Sequence, residues 1–293
     1  MFAGTHTAIV TPFRNGQVDE AALKSIIDFQ FDNGVTGVVP CGTTGESPTL
    51  DHEEHTRVVK LTVEFSKGRG VVMAGTGSNS TREAIELTQE AEAAGATASL
   101  QVAPYYNKPT PEGLYQHFKA IADNTKLPLM LYSIPGRCGI EIGLDVLVRL
   151  AENCPNIRSI KEAGGNPERV SQMKQILPAD FEIMSGDDGL TLPFMSVGGV
   201  GIVSVAGNII PKQISEMVQL ALKGDYVSAL KIHTKYYPLF AAFLKLSTNP
   251  IPIKTAMALA GYCTDELRLP MTGMEPEKVA ELSATLKKLG IIG

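Results

Sequence analysis

Eight short apolar runs, rich in Val, Ile and Thr and bounded by Gly or Pro, recur along the chain: Thr5–Phe13, Gly37–Gly42, Val71–Gly77, Ala98–Tyr105, Leu129–Ile134, Ile157–Ala163, Phe181–Gly186 and Gly201–Gly207. Runs this uniformly apolar predict strands covered on both faces. Between them the apolar positions recur at three and four. In Glu20–Asn33 these positions are Leu23, Ile26, Ile27 and Gln30. Helices are likewise predicted over Asp51–Phe65, Thr81–Ala94, Glu112–Asn124, Leu144–Asn153 and Pro167–Leu177. Asp19, Asp51 and Ser80 stand where an N-cap oxygen is needed, and Gly95 where a helix stops through a left-handed residue. The short segment Asp188–Ser196 takes the seventh helix's place. Strict strand–helix alternation predicts an α/β fold with a parallel sheet, and eight such units close it into a (β/α)8 TIM barrel.

Beyond about Lys212 the strand signal stops, and Ile214–Leu222, Asp225–Leu246, Pro252–Ala260 and Pro276–Leu289 read as helices. The expected organisation is a barrel over 1–222 and a C-terminal helical appendage over 223–293. An open doubly wound sheet is the competing architecture. It would carry a glycine-rich G-x-G-x-x-G turn after its first strand, and Thr11-Pro12-Phe13-Arg14 is not one.

Composition narrows the function. The chain has 293 residues, 44% of them hydrophobic, which suits a barrel of ~250 residues with an addition. A net charge of −5 without basic clusters argues against nucleic acid as a partner. No apolar run approaches the ~18 residues of a membrane span, and the start MFAGTHTAIVTPF does not read as a signal peptide. Cys41, Cys138, Cys154 and Cys263 are scattered without C-x-x-C spacing, so free thiols in a reducing cytoplasm are expected, not disulfides or a zinc site. His52 and His55 lack an H-E-x-x-H context, so no metal is expected.

Polar residues gather where strands two, four, five, six and seven end. They are Gly42-Thr43-Thr44-Gly45-Glu46, then Tyr105-Tyr106-Asn107, Tyr132 with Arg137, Lys161, and Gly186-Asp187-Asp188. In a barrel these ends form one rim, and that rim is the catalytic face. Lys161 lies in the apolar run Ile157–Ala163. Burial would favour its neutral amine, the form that attacks carbonyls. Alternatively, it reaches solvent or pairs with a carboxylate. Thr43 and Thr44 serve either turn geometry or a substrate carboxylate and a proton. Tyr132 is either a core aromatic or a proton carrier facing Lys161. Arg137 is a surface charge or the fork that grips a carboxylate. Asp187 and Asp188 read as caps of the helix that follows.

Together Gly42-Thr43-Thr44-Gly45-Glu46, Pro104-Tyr105-Tyr106-Asn107-Lys108-Pro109, Tyr132-Ser133-Ile134-Pro135-Gly136-Arg137 and Ile160-Lys161-Glu162-Ala163 resemble the dihydrodipicolinate synthase family, in order and at matching spacing from about Gly4 to the last helices. The resemblance implies that Lys161 forms an imine with pyruvate, whose enamine attacks aspartate semialdehyde. It assigns the proton relay to Tyr132, Thr44 and Tyr106, with Tyr106 supplied by a neighbouring subunit in a dimer or tetramer. Thr43 and Thr44 would hold pyruvate's carboxylate, Arg137 that of the semialdehyde, and Gly186 and Val203 would line the pocket. No metal or organic cofactor is implied, because the imine is itself the electron sink. Ser47, Leu50, His52, His55, Asn79, Glu83 and Tyr105 match the positions of an L-lysine feedback site, though an ordinary polar interface would use similar residues.

Departures from the family pattern are Pro48 for a frequent Ala, Cys138 for Ser or Thr, and Val203 for Ile. Related lyases acting on sialic acid or sugar acids share the Lys and Tyr, and Arg137 favours the synthase. A barrel that merely binds a small acid is the remaining, non-catalytic reading.

Overall fold

A computed structural model describes residues 1–293. Eight parallel strands form a closed barrel: β1 (Gly4–Ala8), β2 (Gly37–Val39), β3 (Val71–Gly75), β4 (Ala98–Val102), β5 (Leu129–Ser133), β6 (Ile157–Glu162), β7 (Glu182–Ser185) and β8 (Gly201–Ser204). Closure is made by β1, which pairs with β8 through Gly4 opposite Gly201 and with β2 through His6 opposite Gly37. The intervening helices are α1 (Glu20–Asp32), α2 (His52–Ser66), α3 (Thr81–Ala93), α4 (Pro111–Asp123), α5 (Leu144–Asn153), α6 (Pro167–Ile176), α7 (Thr191–Ser196) and α8 (Pro211–Leu222). The Asp19, Asp51 and Ser80 side chains each accept a first-turn N–H, and Gly95 adopts φ +92°.

Several strands are shorter than their apolar runs. β1 stops at Ala8, because Ile9, Val10 and Phe13 are buried in the chain that leaves the barrel, not in the sheet. Phe13–Arg14 instead pairs antiparallel with Gln17–Val18 in a small hairpin. The predicted helix 188–196 divides into a 3-10 turn at Asp188–Leu190 and the six-residue α7. Arg137 lies on a single helical turn, Pro135–Cys138.

Ala8, Val39, Met73, Leu100, Met130, Tyr132, Met184 and Val203 fill the barrel's interior. Outside it, helices α9 (Tyr226–Lys245), α10 (Ile251–Leu259) and α11 (Pro276–Lys288) follow the barrel. Their Leu239, Phe240, Ile253, Met257 and Leu282 share one core with Leu23 and Ile26 of α1 and Ile214 of α8. Each such side chain contributes ~1.5–3 kcal/mol on burial. The C-terminal helices therefore press on the first and last barrel units, beside the loop that leaves β2.

Candidate active site

Lys161 and Tyr132 face each other across neighbouring strands. The register of β5 with β6 sets them opposite, and Lys161 Nζ lies 4.1 Å from the Tyr132 ring centroid. Both side chains are buried. Burial lowers the Lys161 ammonium to about 7, aided by the Arg137 charge and resisted by the negative Asp188. No salt bridge holds Lys161, unlike Lys254, which is bound to Glu46. The surface-lysine reading is thus excluded. Burial drives the Tyr132 phenol above its ordinary range, although Arg137 and the Thr43 side chain oppose the rise. Tyr132 therefore stays protonated near neutrality and can donate.

The turn after β2 brings Thr43 and Thr44 to the same cavity, of about 550 Å³. Gly45 N donates to Gly42 O and Glu46 N to Thr43 O, while Thr11 Oγ1 clamps Gly45 O at 2.7 Å. Thr44 is buried, and its Oγ1 accepts a bond from Asn249 Nδ2 at 3.0 Å. Gly186 lies against the lysine stem: a Cβ there would stand 2.6 Å from that of Ala163 and 3.1 Å from Lys161 Cε. A side chain there would force Ala163 to shift and would press on the lysine stem.

Arg137 reaches the rim and donates through Nη2 to Thr248 Oγ1 at 3.2 Å and Asn249 O at 3.0 Å. Asp188 is buried and accepts from Ser204 Oγ, Val205 N and Ala206 N, so it ties β7 to the end of β8. Burial lifts its carboxyl to about 6, against these hydrogen bonds. Capping falls to Asp187 alone, which accepts Gly189 N.

The cavity unites Lys161, Tyr132, Thr43, Thr44, Arg137 and Gly186. It continues to Ser47, Leu50, His52, His55, Glu83 and Tyr105. There Glu83 takes His52 Nε2 at 3.1 Å and the Ser78 hydroxyl. The buried His55 Nε2 bonds Gly75 O, and desolvation holds its imidazole below the usual value. Three expected residues do not line this space. Val203 is packed inside the barrel with Tyr132 and Met184, and Val205 lines the cavity instead. Asn79 lies beside it, bonding Tyr105 O through Nδ2. Tyr106 points outward, 90% exposed, at φ +74°. Sequence reasoning missed Asn249, Lys254 and the carboxylate of Glu46. An Asn-Pro pair between helices signals a turn, not a contact to Thr44.

The Dihydrodipicolinate synthetase family model matches residues 1–289. The 4-hydroxy-tetrahydrodipicolinate synthase of Persephonella marina is 50% identical over 293 residues, covering 100% of each chain. The solved synthase of the methanotroph Methylacidiphilum fumariolicum SolV superposes with a TM-score of 0.97 at 51% identity, over 99% of this chain and 96% of that one. Two further solved relatives carry ligands. The chloride-inhibited dihydrodipicolinate synthase of Acinetobacter baumannii, complexed with pyruvate, has a TM-score of 0.97 at 42% identity and full coverage of both chains. The enzyme of Cyanidioschyzon merolae with lysine bound has a TM-score of 0.96 at 40% identity, over 99% of each.

Proposed function

This chain belongs to the dihydrodipicolinate synthetase family, and we propose that it condenses pyruvate with L-aspartate 4-semialdehyde to 4-hydroxy-tetrahydrodipicolinate through an imine on Lys161. The observation that carries this reading is a buried, unpaired amine beside a protonated phenol in a cavity. The neutral Lys161 Nζ attacks the keto carbon of pyruvate. Loss of water from the carbinolamine leaves the imine, and loss of a methyl proton gives the enamine. Its carbon bonds to the aldehyde carbon, and the aldehyde oxygen takes up a proton. The semialdehyde's amine then displaces Lys161, which closes the ring. Covalent capture makes a poor carbon nucleophile into a good one.

Tyr132 and Thr44 are read as the proton carriers at the carbinolamine, with Thr43 and Thr44 toward pyruvate's carboxylate. Arg137 suits the semialdehyde's carboxylate, and Gly186 leaves room for the adduct. Tyr106 would complete the relay from a neighbouring subunit, and its solvent-facing, left-handed setting supports a role outside its own barrel. The active assembly is then at least a dimer. A lysine effector at the outer end of the cavity would set its α-ammonium against Glu83, with His52, His55 and Tyr105 around it; the lysine-bound relative supports this. No helix is long and apolar enough to cross a membrane, and four unpaired thiols support a cytoplasmic setting.

Borohydride trapping in the presence of pyruvate, followed by peptide mass spectrometry, tests the reading. The expected adduct is on Lys161, and turnover follows when aspartate semialdehyde is supplied. No adduct would leave only an acid-binding barrel. An adduct with turnover of sialic or 2-keto-3-deoxy sugar acids, but none of the semialdehyde, would make it a retro-aldol lyase.

A further inference from the structure

The turn that carries Thr43 and Thr44 is bracketed by two non-glycine residues in left-handed backbone conformations, Cys41 at φ +54° and Glu46 at φ +55°. Such residues persist only where their surroundings over-determine them. At Glu46 the surroundings come from the far end of the chain. One carboxylate oxygen takes Lys254 Nζ of α10 at 2.5 Å, and the other takes the backbone N–H of Arg268 at 3.1 Å. Lys254 is 0% exposed, and Glu46 is nearly so. The Phe13 ring lies 4.1 Å from Lys254 Nζ and 4.2 Å from Arg268 Cζ. The Arg268 guanidinium grips both oxygens of Glu54 and the carbonyl of Thr49, so the Glu46 partners are themselves fixed. Asn249, just before α10, holds the Thr44 hydroxyl directly.

We propose that the buried Glu46–Lys254 pair is a positioning device for Thr44, through which the C-terminal helices hold the catalytic turn in its left-handed form. The pair touches no substrate, and it acts through the hydroxyl two residues before Glu46. Burying an ion pair is a poor way to gain stability, since packed apolar side chains of similar volume usually do as well. What the pair adds is a fixed point for one oxygen in a reaction sensitive to small displacements. This inference rests on the relay role proposed for Thr44.

The test uses the full chain, with active sites counted by pyruvate–borohydride adduct trapped to completion, so that slow imine formation is still counted and misfolded protein is excluded. Glu46→Gln and Lys254→Met are made together, which leaves no unpaired buried charge and keeps an oxygen for Arg268 N. The expected result is a roughly tenfold to hundredfold lower kcat per counted site, the effect of a misplacement of about 1 Å. In a Thr44→Val background the same double replacement should cost no more than about twofold further, since coupled residues are non-additive. Unchanged kcat per site would overturn the proposal and leave the pair purely structural, as would an equal loss with and without Thr44. Full activity of Thr44→Val would instead overturn the relay role and this inference together.

Discussion

The Lys161 amine sits over the face of the Tyr132 ring, 4.1 Å from its centroid. Opposite positions in the β5–β6 register create that contact. An electron-rich ring face attracts an ammonium, while burial penalises one. Burial wins, with the amine brought to about 7. The amine is therefore divided between its two forms near neutral pH, where nucleophile and proton donor are both needed.

From that value follows the pH dependence of imine formation. The attacking form is the neutral amine, so the second-order rate with pyruvate should fall about tenfold per unit below pH 7 and level off about one unit above it. Stopped-flow or quenched trapping with borohydride measures it. A rate still climbing tenfold per unit from pH 8 to pH 10 would mean an ordinary, solvated lysine.

Asp188 pulls in the opposite direction, since its negative charge favours the ammonium. Asp188→Asn keeps the side-chain shape and an acceptor for the β8 loop but removes the charge. The acid limb of the same profile should move down by about one unit. An unmoved limb would show that Asp188 serves only its bonds to Ser204, Val205 and Ala206.

Holding the amine in this state costs stability. The folded Lys161 pKa lies below its ordinary 10.5, so the native state binds fewer protons than the unfolded one between about 7 and 10.5. The penalty is complete below pH 7 and fades as pH rises toward 10.5. Lys161→Met should therefore stabilise the protein at pH 6, on the order of 5 kcal/mol, while abolishing turnover. Its gain should shrink steadily in denaturant titrations run at pH 8 and 9.

Much of this was legible in the sequence because apolar periodicity reports burial. A lysine inside the run Ile157–Ala163 pointed to burial, with a solvent-reaching or paired side chain as the alternative, and Thr43, Thr44 and Arg137 followed strands whose ends share a rim. The same property misled where burial and sheet pairing part: Ile9, Val10 and Phe13 are buried without extending β1. The place of Val203 came from the family resemblance alone, and here that residue packs inside the barrel while Val205 lines the cavity. The contacts least visible are those of the C-terminal helices. Glu46 and Lys254 are 208 positions apart, and nothing local to α10 marks Lys254 as the partner of the turn that follows β2.

At the other end of the cavity, Glu83 is the group that would receive lysine's α-ammonium. Its carboxyl is held below the usual range by the Ser78 hydroxyl and His52, so it is charged at neutral pH. L-lysine in the millimolar range should inhibit turnover. Glu83→Gln should raise the half-inhibiting concentration by roughly tenfold, the loss of one charge-assisted hydrogen bond. Calorimetric titration of the same variant with lysine checks binding apart from turnover. Indifference of the parent enzyme to lysine would reduce these residues to ordinary polar surface.

Tyr106 supplies the sharpest test of assembly. It stands 90% exposed on its own chain and does not line the cavity that holds Lys161. If its hydroxyl serves a neighbour's site, Tyr106→Phe and Lys161→Ala should each be nearly inactive alone, the former by ~10²-fold or more as a lost proton carrier. Dissociated and reassociated as an equal mixture, half of the dimers pair one chain of each kind. In each mixed dimer one site then has Lys161 from the first chain and Tyr106 from the second, while the other site has neither. The mixture should recover about a quarter of the parent activity, provided that the two sites of a symmetric dimer exchange this residue reciprocally. A mixture no more active than the mean of its two components would confine each site to one chain and overturn the supply of Tyr106 by the neighbour.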